Sequence, residues 1–375
     1  MKKILAVIFL FVVVKILSKF YLMYYPHAFV WQYYSVLKYW FVIIILALSF
    51  DKVRNNVLKY YRKSEIRFLV ILGILVVGSL AFFSWNGQLN LKDDIQYYET
   101  GFDQLTYYSW SREILKDKKL FVEPTVTFSK PFYLYFRSAQ MAVFGDGTMW
   151  MDTMGVWTLM TLPVLLLVVV WLNSANIWLL MMTIILSVYW YLVMNGWFIR
   201  FISNLSEMPA WFFMGLATIL ALDKKTNQKW LWFLFLLSFL MRTVMIVYLP
   251  ILLLIIFLKS KIEIKTFIVF GFVGVGLIFL QSKFGVLNNI EIGNYAAQNM
   301  SANILARIPQ LIPSQYELIV LLLLIISLIK KKSLLAIGIV LLSFALQLPL
   351  FNNFYPQRNL FWLYWMLTVL TVSLW

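Results

Sequence analysis

Apolar runs of about 15–20 residues recur along this chain from end to end, separated by short segments rich in lysine and arginine. A stretch of that length and composition has few fates other than a helix that crosses a bilayer. The hydrophobic fraction is 62% and charged residues make up 13%, with a mean hydropathy of +0.82, more than a soluble core requires. The runs are continuous and do not alternate, which excludes an outer-membrane barrel. The expected fold is therefore all-α: a polytopic integral membrane protein of about 12–13 transmembrane helices. The formal charge of +16 follows from lysines and arginines gathered in loops between spans, so no nucleic acid is expected as a partner. Cysteine is absent and His27 is the only histidine. Thiolate and imidazole metal sites and Ser-His chemistry are thereby disfavoured. Acid–base work falls to carboxylates, tyrosine or lysine.

The basic segments orient the spans. Lys52, Arg54, Lys59, Arg62, Lys63 and Arg67 place residues 51–67 on the cytoplasmic side. Residues 4–22 and 36–50 then form an outgoing and a returning span, the first of them signal-like but retained. Residues 68–85 run outward, 86–131 form an external loop, 132–145 return, and 153–172 and 177–194 make the next pair. Further spans are expected at 207–222, 266–282, 317–329, 333–350 and 360–375, with an extra crossing or re-entrant segment near 190–206 to restore parity. Between the basic turns at Lys224–Lys229 and Lys259–Lys265 lie about thirty mostly apolar residues, which as one helix would measure about 45 Å against a hydrocarbon core of about 30 Å. Both ends are cytoplasmic, so this segment reads as a hairpin of two short helices with Arg242 near its outer tip. An arginine at membrane depth costs about 2.5–3.5 kcal/mol on insertion scales, a cost that a water-filled cavity holding an anion would remove. The chain divides into an N-terminal two-span hairpin with its basic loop (1–67), a transmembrane core (68–260) and a C-terminal transmembrane region (261–375).

Acidic residues are scarce, 16 in all, and seven lie between Asn86 and Pro131: Asp93, Asp94, Glu99, Asp103, Glu113, Asp117 and Glu123. A membrane protein that concentrates its carboxylates in one external loop has a use for them there. Asp93 and Asp94 suit either a general base for a hydroxyl or a helix N-cap, because Tyr98, Phe102, Leu105 and Tyr108 recur at helical spacing just beyond, as in an amphipathic juxtamembrane helix. Lys130, ahead of Pro131, suits an interface anchor or a ligand contact. Glu207 in Ser206-Glu207-Met208-Pro209 opens a helix at its positive dipole end, or faces a ligand. Arg200, Arg242 and Arg358 are assigned near the outer side, where arginines are unusual. They either clamp a phosphate or snorkel to headgroups.

In order, spacing and sidedness these elements resemble the glycosyltransferase C superfamily, in particular the bacterial branch related to protein O-mannosyltransferases and lipid A aminoarabinose transferases. The resemblance rests on Lys92-Asp93-Asp94-Ile95 after an early span, and on Ser129-Lys130-Pro131-Phe132-Tyr133 opening a span that ends at Phe144-Gly145. It rests also on Ser206-Glu207-Met208-Pro209-Ala210, on Arg242 followed by Tyr248-Leu249-Pro250, and on Tyr355-Pro356-Gln357-Arg358. It covers residues 68–260 well and extends more loosely to the end. Two departures stand out: Phe132 replaces the second proline of a Lys-Pro-Pro element, and Ser129 stands where relatives carry an acid.

The resemblance implies a membrane transferase that moves a sugar from a polyprenyl-phosphate donor to a lipid, glycan or protein acceptor on the external face of the bacterial inner membrane. Asp93 or Asp94 would be the inverting general base. Lys130, Glu207, Arg242, Tyr355 and Arg358 would contact substrate, membrane lipids would surround the spans, and no cofactor or metal is required. A polysaccharide polymerase or ligase, a lipid or sugar transporter and a non-catalytic assembly factor are the competing readings. A transporter would show internal repeats and discontinuous helices.

Overall fold

A computed structural model describes residues 39–44, 46–47, 50–85, 102–118, 130, 132–145, 155–174, 176–193, 207–284, 317–347 and 356–375. Among the described residues the secondary structure is entirely helical. Two helices among the described residues are long and apolar enough to cross a membrane, Glu65–Phe82 and Gly155–Asn173. The other apolar helices are shorter by that measure, each between 10 and 17 residues. The chain divides into two compact units, residues 1–100 with 154–203 and residues 101–153 with 204–375.

In the first unit, the basic segment expected as a loop is a helix, α1 (Asp51–Lys63), which leads directly into α2 (Glu65–Trp85). The reason is local: Asp51 sits at the positive end of the α1 dipole and Arg62 and Lys63 at the negative end. Tyr61 is buried at the joint and meets Phe68 edge-on, with 5.6 Å between ring centroids. α5 (Leu162–Asn173) opens with Pro163, whose fixed φ suits a first turn. Its residues Leu162 to Leu172 are all buried, against α6 (Ile177–Val193), α1 and α2. Arg54 caps the C-terminal end of α5, its guanidinium donating to the carbonyls of Trp171 and Leu172 at 3.2 and 3.1 Å.

In the second unit, α3 (Phe102–Asp117) packs on α4 (Tyr133–Phe144). A helix covers the later part of the segment expected to be amphipathic, and one side of it is turned toward protein. Tyr107 and Ser111, one turn apart, are buried, and Ser138 Oγ donates to the Ser111 carbonyl at 2.8 Å. Tyr98 lies outside the described residues. α4 matches the segment expected as a returning span, yet its 12 residues rise only about 18 Å, too little to cross a bilayer of about 30 Å. Gly145, at φ +82°, ends it in the left-handed region that glycine occupies without strain.

The body of this unit is built from α7 (Glu207–Ala221), α8 (Gln228–Met241), α9 (Leu249–Lys259), α10 (Ile264–Phe284), α11 (Glu317–Lys331), α12 (Leu334–Gln347) and α13 (Pro356–Leu374). α7 and α8 form its most extensive pair, α9 packs on α7, α12 and α13, and α11 packs on α13. Trp211 of α7 meets Trp362 of α13 at 4.8 Å between centroids, and the Trp365 indole donates to Thr218 Oγ1 at 3.2 Å. The hairpin expected between the two basic turns is present. α8 stops at Arg242, whose backbone is extended (φ −157°, ψ 112°), a 3-10 helix covers Thr243–Tyr248, and α9 follows with Pro250 in its first turn. Opposite this break, Gln228 stitches the two basic turns together: its amide donates to the Lys261 carbonyl at 2.5 Å and accepts from the Glu263 amide at 2.9 Å.

Candidate functional site

The second unit gathers several of the residues singled out from sequence around the point where α8 breaks. α7 and α8 run antiparallel, so the start of one faces the end of the other. Ser238 Oγ, one turn before Arg242, donates to the Ala210 carbonyl, one turn after Glu207, at 2.7 Å. That bond sets the register, and with it the Arg242 guanidinium pairs with the Glu207 carboxylate. The Glu207 side chain is 1% exposed and that of Arg242 is 17% exposed. Glu207 thus occupies the first turn of its helix, as the capping reading expects, and also neutralises an arginine set among apolar side chains. Burying either charge alone would be costly, and pairing is the usual remedy.

The Lys130 segment is anchored to the same helix end. The Phe132 amide donates to the Leu240 carbonyl at 2.9 Å, and the Tyr133 amide donates to the Lys130 carbonyl at 3.2 Å as α4 begins. The Lys130 ammonium reaches the Tyr107 hydroxyl and lies 4.1 Å from the Tyr107 ring centroid. Tyr107 in turn meets Tyr133 edge-on, 5.7 Å between centroids. Lys130 is therefore held over the ring of Tyr107 on α3, which Tyr133 of α4 backs edge-on, in a cation–π arrangement.

Tyr248, at the far end of the 3-10 helix, is buried and feels both the charge of Arg242 and the side-chain amide of Gln347, the last residue of α12. Sequence reading passed over Tyr107, Gln347 and the buried Arg137 of α4, and took Tyr248 only as part of the element that follows Arg242. Gln347 and Arg137 interrupt apolar helices, which is the signal that marks them. Tyr107 carries none, since this chain has 21 tyrosines.

Of the expected site residues, Lys130, Glu207 and Arg242 are described and belong to this arrangement. Arg358 lies in the first turn of α13, with its side chain outside the described residues. Asp93, Asp94 and Tyr355 lie outside the described residues altogether, as do Arg200 and the extra crossing expected near 190–206, save its first few residues at the end of α6. Among the described residues no three His, Cys, Asp or Glu side chains are grouped so as to hold a metal ion. The arrangement sets a guanidinium, paired with the Glu207 carboxylate, at a helix break next to a segment that carries the Lys130 ammonium, and guanidinium and ammonium are the side-chain groups that hold phosphates in proteins. The chain matches no protein-family model, no curated protein and no solved structure.

Proposed function

We propose that the protein is a polytopic membrane glycosyltransferase that moves a sugar from a polyprenyl-phosphate donor to a lipid, glycan or protein acceptor at the outer face of a bacterial inner membrane. Membrane placement is supported by the apolar residues left uncovered on long helical faces: Val70, Ile71, Ile74 and Leu75 on α2, and Ile268, Val269 and Phe272 on α10. Water would penalise such continuous faces, and lipid would cover them.

The observation that carries the functional reading is the broken apolar hairpin with Arg242 at its break, neutralised by Glu207 and joined through Leu240 to the Lys130 segment. Arg242 and Lys130 would hold the phosphate that leaves with the polyprenyl chain, with Arg358 as a third cation. The general base is proposed, on sequence grounds, to be Asp93 or Asp94. It takes the acceptor hydroxyl proton as the oxygen attacks the anomeric carbon and the carbon–oxygen bond to the phosphate breaks, with inversion. A transporter for a lipid-linked sugar is the second reading, favoured by the same discontinuous helix.

The test is surface-glycan mass spectrometry on a deletion strain carrying wild type, Asp93→Asn, Asp94→Asn or empty vector at matched membrane levels. The proposal expects one sugar mass to vanish on deletion, to return with wild type and to stay absent with one Asn variant. Restoration by both Asn variants would remove the catalytic assignment. An unchanged glycan together with altered flux of labelled polyprenyl lipids would favour transport.

A further inference from the structure

The two basic turns at the other end of the α8–α9 hairpin from Arg242 meet the end of α11. Gln228 joins residues 223–229 to residues 259–265 through its bonds to the Lys261 carbonyl and the Glu263 amide. Lys224 of the first turn and Lys331 of α11, both exposed, are close enough for their charges to act on Lys259 at the end of α9. Lys330 lies 4.6 Å from the Trp375 ring centroid, and that indole donates to Ser327 Oγ at 2.6 Å, which fixes the end of α11 against the end of α13. Three ammonium groups from three separate segments thus converge.

Like charges so placed call for a counter-charge, and the protein supplies little of it. Residues 223–229, 259–265 and 330–332 hold nine lysines against two carboxylates, Asp223 and Glu263. Asp223 accepts from the Lys225 amide and Glu263 from the Thr266 hydroxyl, each at 3.1 Å and within its own turn. Lys259 is half-buried, and among the described residues the charges that act on it are both positive. Positive-inside topology explains lysines that point into water. It does not explain one withdrawn between two others, which an anion would relieve.

The neighbouring side chains select among anions. Phe257, two residues before Lys259, is 60% exposed, Ile329, two before Lys331, is 68% exposed, and Leu334, which opens α12, is 84% exposed. Two residues of helix rise about 3 Å, so open apolar surface begins directly beside the ammonium groups. A phospholipid has the same order, a phosphate followed at once by acyl chains. A soluble phosphate would leave the apolar side chains uncovered. We infer that Lys224, Lys259 and Lys331 hold the phosphate of an anionic phospholipid in the leaflet that these turns face. This rests on the membrane placement proposed above and is independent of the transferase activity.

The experiment is native mass spectrometry of the full chain in an uncharged detergent, titrated with phosphatidylglycerol or phosphatidylcholine. Wild type is compared with Lys259→Met, Lys331→Gln and Lys59→Gln, the last removing an exposed lysine of α1 as a control for bulk charge. Phosphatidylglycerol is expected to bind wild type about tenfold tighter than phosphatidylcholine. Lys259→Met and Lys331→Gln should each weaken it about fivefold, and Lys59→Gln should leave it unchanged. Inorganic phosphate at millimolar concentration should not displace it. Equal binding of the two lipids, or equal weakening by all three variants, would overturn the site and leave membrane placement standing. Displacement by inorganic phosphate would replace the lipid with a soluble anion and also overturn it. A chain that stays soluble without detergent would overturn membrane placement itself.

Discussion

The Arg242 guanidinium pairs with the Glu207 carboxylate across the α7–α8 hairpin, at the point where α8 breaks. The two charges are buried to different degrees, Glu207 almost completely and Arg242 less so, and the pair is the structural condition for having an arginine there at all. Arg242→Ala removes the guanidinium from a buried carboxylate, and the expected loss is about 3 kcal/mol, at the low end of the range for buried pairs because Arg242 keeps some exposure. Glu207→Leu combined with Arg242→Leu should cost less than the sum of the two single changes, since neither charge is then orphaned. Thermal unfolding of the four proteins in the same detergent gives the coupling, and additive losses would show that the two side chains are independent.

Phe132 follows Pro131 at the position where the sequence resemblance leads one to expect a second proline, and the structure gives that difference a consequence. Its amide donates to the Leu240 carbonyl, a bond that proline cannot make, and its φ of −113° is far from proline's fixed value of about −65°. Phe132→Pro should therefore lower stability by about 2 kcal/mol and loosen the Lys130 segment from the end of α8. Phe132→Ala keeps the amide and removes a side chain that is 43% exposed, so its effect should stay near about 0.5 kcal/mol. Melting temperatures for the pair, with protease sensitivity ahead of α4 as a local readout, check this. Equal effects would mean that the side chain matters and the hydrogen bond does not.

Arg54 places a positive charge against the last carbonyls of α5, with two donors on two successive oxygens. Arg54→Ala should cost about 2 kcal/mol, combining charge-assisted hydrogen bonds with loss of a cation at the negative end of a helix. Arg54→Lys should recover only part, because a single ammonium lacks the planar fork that reaches both carbonyls. Arg62, bonded to Asn173 Oδ1 at an exposed site, should cost under about 1 kcal/mol when replaced by alanine. Hydrogen exchange at the end of α5 separates the three variants. Equal protection in Arg54→Ala and wild type would rule out the cap.

Lys259 is partly buried at the end of α9, with the like charges of Lys224 and Lys331 close enough to act on it. Lys259→Met should raise the melting temperature by about 1–3 °C at low salt, corresponding to under about 1 kcal/mol. The gain should shrink as salt screens the repulsion, and should vanish in micelles doped with anionic lipid, which supplies the counter-charge. A fall in melting temperature at low salt would show that packing of the lysine stem outweighs the repulsion.

Most helices were legible in the sequence because an apolar run bounded by basic turns has only one regular way to satisfy its backbone. α6, α7, α11 and the α8–α9 hairpin all lie within a few residues of where hydropathy and lysine position put them. α1 was misread because a charge-rich segment signals a solvated turn and an amphipathic helix equally well. α4 was found within a residue of its expected bounds, but it was read as a crossing that 12 residues are too short to make, since hydropathy reports an apolar stretch without saying whether lipid or protein covers it. Composition and periodicity thus determined that the described residues are helical, where most of their helices fall, and that one hairpin must break near Arg242. Tertiary structure alone decided that Glu207 neutralises that arginine, that Phe132 ties Lys130 to the same helix end, and that Gln347 is buried beside Tyr248. Those facts depend on which faces meet and at what register, and a one-dimensional pattern of apolar and charged residues does not encode either.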